Sequence, residues 1–255
     1  MKLLLLTQDA PVYLAPFIDR WLELIRGRHD VVGAAVLKAH GPRRPLAALA
    51  ERYTLYGPIA FARMLCYIAW NKGLAFLGRP YSVRNALRRH GVRILVEGDV
   101  NRPEFICRIG ELGADVVVSI ACPKILKAAI LAAPPRGVIN YHTALLPRYR
   151  GRMPLYWALF HGEQEVGMTV HEIDTGIDTG PIIVQDRVPV QPQDSLHDLY
   201  LKTTEAGPAT LARALDRLAA GETSRLPNPA DQGAYFGFPT PEQCREFRRR
   251  GRRFF

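Results

Sequence analysis

The chain has 255 residues, 48% of them hydrophobic, enough for one α/β domain with a generous core and too apolar for disorder to be the default. Its formal charge of +10 invites a nucleic-acid partner, but much of the excess is the cluster Arg245, Arg248, Arg249, Arg250, Arg252 and Arg253, with no interleaved aromatics of an RNA-binding fingerprint. Nucleic acid is therefore not the favoured partner, and the oligomeric state is not legible.

Met1 to Gln8 lacks the basic start and cleavage site of a signal peptide. Lys2 to Thr7 is instead expected as the first strand, a continuous apolar run suited to a parallel sheet buried on both faces. Pro11 to Gly27 has helical periodicity, with Leu14, Phe17, Ile18, Trp21, Leu22 and Ile25 on one side. Val31 to Leu37 is a second strand. The polar stretch Gly41 to Pro45 leads into helical material through Leu77. Within it, Gly57 to Leu77 is interrupted by Arg63, Asn71 and Lys72. That argues against a membrane span, which needs about 20 apolar residues. A mostly buried helix with a polar stripe is expected there, and no membrane partner.

A basic helix follows near Ser82 to His90, then a strand over Val92 to Val96, a helix over Arg102 to Leu112 and a strand over Asp115 to Ile120. A short helix is expected from about Lys124 to Leu131, a turn from Ala132 to Arg136 and a strand from Gly137 to Tyr141. Strands separated by helices imply right-handed crossovers, so the fold class is α/β, a Rossmann-like, mostly parallel sheet with flanking helices. Gly167 to Ile173 and Pro181 to Val188 read as two further strands. Gln193 to Leu218 is a long helix begun by Asp194 or Ser195. Ala219 to Phe255, rich in Gly, Pro and Arg, is poorly specified. Cys66, Cys107, Cys122 and Cys244 show no paired spacing and are expected as buried thiols in a reducing, cytoplasmic setting.

The informative segment runs from Gly137 to Gln185. A buried strand ends in Asn140-Tyr141-His142, so alternation points Asn140 and His142 to one side, at the end where open α/β sheets place ligands. The turn Leu145-Leu146-Pro147-Arg148-Tyr149-Arg150-Gly151 follows, and later the glycine-rich loop Asp174-Thr175-Gly176-Ile177-Asp178-Thr179-Gly180, whose Asp178 is expected to reach the imidazole. Singly, Asn140 could be a turn former, His142 a satisfied interior histidine and Asp178 an Asx-turn residue. Their joint spacing weighs against that. His171 and Asp174 are weighted toward structure and His161 toward the surface. Arg148, Arg150 and Arg152 either hold an anionic acceptor or are solvated.

With Asn-x-His, Leu-Leu-Pro-x-x-x-Gly and Asp-x-Gly in this order, the chain resembles the folate-dependent formyltransferase family, most clearly from Val92 to Pro189. The resemblance implies a catalytic domain over 1–190, with the C-terminal helix and basic tail of 191–255 packed on it or extending from it. It implies Asn140, His142 and Asp178 as the catalytic trio. It also implies Pro123, Lys124, Ile125 and Leu126, with Ile173, Asp174 and Gly176, as contacts to 10-formyltetrahydrofolate, and no metal. Formyl transfer needs a donor for the formyl oxygen, which Asn140 offers, and a proton route, which His142 and Asp178 offer without a division of roles.

Two departures bear on the acceptor. Ala144 stands where many members have Ser or Thr, and Thr7-Gln8-Asp9-Ala10-Pro11 lacks the glycine-rich phosphate loop of the glycinamide ribonucleotide enzymes. The acceptor expected is a primary amine on a small molecule that can carry phosphate, such as an amino sugar nucleotide. A methionyl-tRNA formyltransferase-like enzyme is an alternative, although its C-terminal β-barrel needs more residues than follow the long helix. A formyltetrahydrofolate hydrolase is another, although its N-terminal regulatory domain has no counterpart before the first strand. A non-catalytic nucleotide- or RNA-binding Rossmann module remains the alternative from a different class.

Overall fold

The computed structural model describes residues 1–10, 12–38, 45–75, 80–95 and 98–255. The stretch from Gly41, and the expected ends at Leu77 and Val96, lie outside the described residues.

Strand β1 (Lys2–Gln8) is followed by α1 (Leu14–Ile25), β2 (Asp30–Leu37), α2 (Pro45–Tyr56), α3 (Pro58–Ala75), α4 (Val83–Arg89) and α5 (Pro103–Glu111). Then come β3 (Val116–Ile120), α6 (Ala128–Leu131), β4 (Val138–His142), β5 (Arg150–Gly151) and α7 (Pro154–His161). Strands β6 (Glu165–Glu172) and β7 (Ile182–Pro189), α8 (Leu196–Ala219), β8 (Tyr235–Phe236) and α9 (Pro241–Arg249) complete the chain.

The main sheet has the order β2-β1-β3-β4-β6-β7, with β2, β1, β3 and β4 parallel and β6 and β7 antiparallel. From β1 the chain passes outward to β2 and then back to β3 on its other side, so the sheet has a switch point beside its centre. Leu3 to Leu6 are fully buried. Each such side chain contributes about 1.5–3 kcal/mol through removal from water. Their alternation feeds two cores. Leu3 and Leu5 join Trp21, Ile139 and Tyr141 on one face, and Leu4 and Leu6 join Ile109, Val117 and Val138 on the other. Helix α8, capped by a reciprocal Ser195–Asp198 box, packs against α1, β6 and β7.

Three expectations are corrected. Among the described residues, the strand expected over Val92 to Val96 shows one bridge, between Ile94 and Ala34, held by two backbone bonds. The helix expected buried over Gly57 to Leu77 lies on the surface. Only Met64 among its described side chains is buried, while Ile59 and Trp70 are 72% and 67% exposed. The cause is that the apolar residues of α3 are spread round the helix, with Arg63 and Lys72 on opposite sides of it, so composition could not say which face meets the core. Of the cysteines, Cys66 and Cys107 are exposed on outward helix faces and only Cys244 is buried.

The Arg-rich end, unspecified by sequence, forms α9. Thr240 and Gln243 cap it reciprocally, and Cys244 and Phe247 are sunk in the core.

Candidate active site

Strand β4 directs Ile139 and Tyr141 toward α1 and α8, which leaves Val138, Asn140 and His142 on the opposite face. Leu126 is buried in the core of that face, and Ile173 packs against it. The two segments inferred as donor contacts, 123–126 and 173–176, thus approach the same side of the sheet. Within them, Ile125 is exposed and Asp174 serves its own loop, accepting from the Gly176 amide and from Thr179 Oγ1. Lys124 and Gly176 are also exposed, and Pro123 is half-buried.

Asn140, His142 and Asp178 converge. Asp178 Oδ1 lies 3.5 Å from Asn140 Nδ2, and Oδ2 lies 3.7 Å from His142 Nδ1. Ser119, on the neighbouring strand, donates to Asn140 Oδ1 at 2.9 Å. That bond fixes the carboxamide orientation, leaving Nδ2 toward His171 Nε2 at 3.2 Å and toward Asp178. The Asp178 contact is long enough to leave that hydrogen available to a substrate oxygen.

The tautomers follow from the acceptors. His142 Nε2 faces the Tyr149 carbonyl oxygen at 3.0 Å and must carry a proton to bond it, so Nδ1 is the nitrogen left for chemistry. His171 Nδ1 likewise donates to the Glu172 carbonyl oxygen at 2.8 Å, turning Nε2 into the cluster, 3.5 Å from Asp178 Oδ1. Burial by itself would raise the Asp178 carboxyl. The His142 charge, the His171 hydrogen bond and the Gly151 amide outweigh it and hold the group well below the usual carboxylate range.

Backbone strain marks the same place. Ala121, Tyr149 and Asp178 all have positive φ, between 53° and 59°. Such residues cost about 1–2 kcal/mol each and persist where the surroundings hold them. Arg150 supplies part of the hold. It is buried, donates to the Asp178 carbonyl oxygen and spreads its remaining bonds over Asn228, Pro229 and Ala230. It therefore does not offer itself to an anionic acceptor, whereas Arg148 pairs with Glu163 at the surface.

Sequence reasoning missed Ser119 and Asn228, gave Arg150 only an acceptor or solvent role, and weighted His171 toward structure. Only His171 had a usable signal: β6 pairs antiparallel with β4, opposite Asn140. Among the described residues the one group spaced for a metal is Asp19, Glu23 and His90, on α1 and at the end of α4. Arg89 already pairs with both carboxylates there.

The pattern of the formyl transferase family matches residues 88–215, half of the chain. The chain belongs to the formyl transferase family. It is 38% identical over 143 residues to a methionyl-tRNA formyltransferase of Trichlorobacter lovleyi, a match covering 56% of this chain and 45% of that protein. The chain spans about half the length of the curated relatives it matches. The fold resembles glycinamide ribonucleotide transformylase 1 from Symbiobacterium toebii, with a TM-score of 0.60 and 22% identity over 87% of this chain and 88% of that one. It also resembles a sugar N-formyltransferase from a Shewanella species, with a TM-score of 0.59 and 18% identity over 93% and 77%. Asn140, His142, Asp178 and Ser119 all fall inside the matched family segment, whereas Asn228 lies beyond it.

Proposed function

We propose that this chain transfers a formyl group from 10-formyltetrahydrofolate to a primary amine. The observation that carries the reading is the convergence of Asn140, His142 and Asp178 at the end of β4, in a chain of this family.

In this reading an unprotonated amine attacks the formyl carbon, and the bond from that carbon to the folate nitrogen breaks. Negative charge gathers on the formyl oxygen, where Asn140 Nδ2, oriented by Ser119, supplies a neutral donor. Asp178, held ionised, accepts the amine's proton, and the leaving nitrogen takes a proton back from the Asp178–His142 Nδ1 pair. The segments 123–126 and 173–176, which approach the same side of the sheet, would hold the donor's pterin, with Leu126 and Ile173 offering apolar contacts. The reading requires no metal. The trio lies within 1–190, and Asn228 reaches it from the segment 191–255.

The name carried by the sequence relatives supports a methionyl-tRNA acceptor at least as well as a small molecule. The likeness to glycinamide ribonucleotide and sugar enzymes keeps a small-molecule amine as the second reading. One experiment tests the activity and divides the acceptors. The chain is incubated with formyl donor and either charged initiator tRNA or a panel of amino sugar nucleotides, and products are weighed by mass spectrometry for the gain of one CO. No product with any amine, beside intact donor, overturns the reading.

A further inference from the structure

Helix α3 rests on the body through Ala60, Met64, Tyr67 and Ile68, and turns a second apolar face outward. With about 100° between successive residues, Ile59, Ala62, Leu65, Cys66, Ala69 and Trp70 fall on that outward half. The only charged residues of α3, Arg63 and Lys72, stand at its two opposite edges, and the helix has no acidic residue. Arg63 bonds the Phe255 carbonyl oxygen and Lys72 sits over the Tyr81 ring, so both are held at the rim. Beside this surface α9 packs on α2 and exposes Arg245 and Arg249.

We infer that the outward face of α3 docks on an anionic lipid surface. The outward half of α3 is an apolar stripe ending in a tryptophan with one cation at each edge, while its other half packs on the protein, and such a surface suits the apolar–polar boundary of an anionic membrane. Charge complementarity selects this occupant. A second copy would bring Arg63 and Lys72 against the same cations with no acid on the helix to meet them, whereas lipid phosphates would meet them directly. Among the described residues no helix is long and apolar enough to cross a membrane, so the contact is peripheral. The sequence-based expectation of no membrane partner rested on Arg63, Asn71 and Lys72 interrupting the apolar run, which argues against a span and not against a contact in the membrane plane.

The test uses the full chain and unilamellar vesicles of phosphatidylcholine with and without phosphatidylglycerol. Of the three tryptophans, Trp21 and Trp157 are buried, so a change in emission on binding reports Trp70. Cosedimentation with the anionic vesicles and a blue shift that Trp70→Phe abolishes are expected. Ile59→Glu with Trp70→Glu should weaken partitioning by more than about tenfold. Arg63→Gln and Lys72→Gln should each weaken it by about fivefold. Unchanged circular dichroism and melting would show that these outward substitutions leave the fold intact. Vesicle binding that survives the double Glu substitution would place the contact on the Arg-rich end and overturn the inference. So would the absence of vesicle binding, with or without a dimer that the same substitutions dissolve.

Discussion

Asn228 donates its side-chain amide to the carbonyl oxygens of both Asp178 and Gly180, each at 2.9 Å, although 50 residues of chain separate it from Asp178. Its own Oδ1 accepts from Arg150, which bonds the same Asp178 carbonyl. Asn228 therefore acts on the carboxylate through the backbone. Asn228→Ala should lower kcat about tenfold while leaving the KM for the formyl donor nearly unchanged. It should also cost about 1–2 kcal/mol of stability for two part-buried bonds. Initial-rate kinetics and urea unfolding measure the two effects separately. Lost stability with an intact kcat would reduce Asn228 to a packing residue.

The carboxamide of Asn140 is set by Ser119 rather than by its own strand. Asn140→Ala removes the donor to the formyl oxygen and should slow turnover about a hundred- to a thousandfold. Ser119→Ala keeps the donor but frees the amide to rotate, and a smaller loss of about tenfold is expected. Equal losses in the two variants would mean that orientation is all that Asn140 contributes.

The alternation of Asn140 and His142 and the glycine-rich loop around Asp178 were legible because both are local patterns. The hold on Asp178 was not. Arg150 and Asn228 act on backbone carbonyls far away in sequence, and such contacts leave no trace in residue spacing. Arg150 illustrates the ambiguity: three arginines within the stretch Arg148 to Arg152 look alike in sequence, yet Arg150 alone of them is buried. The failure at α3 is of another kind. A helix whose apolar residues are spread over every side is consistent with a core position and with a surface that something else covers, and only its neighbours decide.

The acidic limb of the stability curve should carry the signature of Asp178. Its carboxyl titrates lower in the fold than in the unfolded chain, because neighbouring imidazole charge, the His171 hydrogen bond and the Gly151 amide outweigh the opposing effect of burial. A depressed folded pKa means the unfolded state takes up the proton first as pH falls. The stabilisation is therefore present above the unfolded value of about 3.9 and is lost as pH drops toward the folded one. Urea midpoints of the native chain and of Asp178→Asn should differ most above about pH 5, and the gap should narrow progressively as pH falls below about 4. A gap that is constant across this range would remove ionisation from the account.

Gly180 closes the loop that carries Asp178, and a Cβ there would overlap the carbonyl oxygen of Glu172. That oxygen belongs to the backbone of β6, so relief must come from the loop. Gly180→Ala should displace Asp178 by a fraction of an ångström to an ångström and lower turnover about a hundredfold. The accompanying loss of stability should be about 1–3 kcal/mol, the usual cost of overpacking. The contrast is Gly110 on α5, which is exposed and where a Cβ would meet nothing within 4 Å. Gly110→Ala should raise stability by about 0.5–1 kcal/mol through helix propensity and leave turnover alone. Measured together, the pair separates strain at the loop from the general effect of adding a methyl group. If Gly180→Ala loses stability but keeps its rate, Asp178 does not need the position in which the loop holds it.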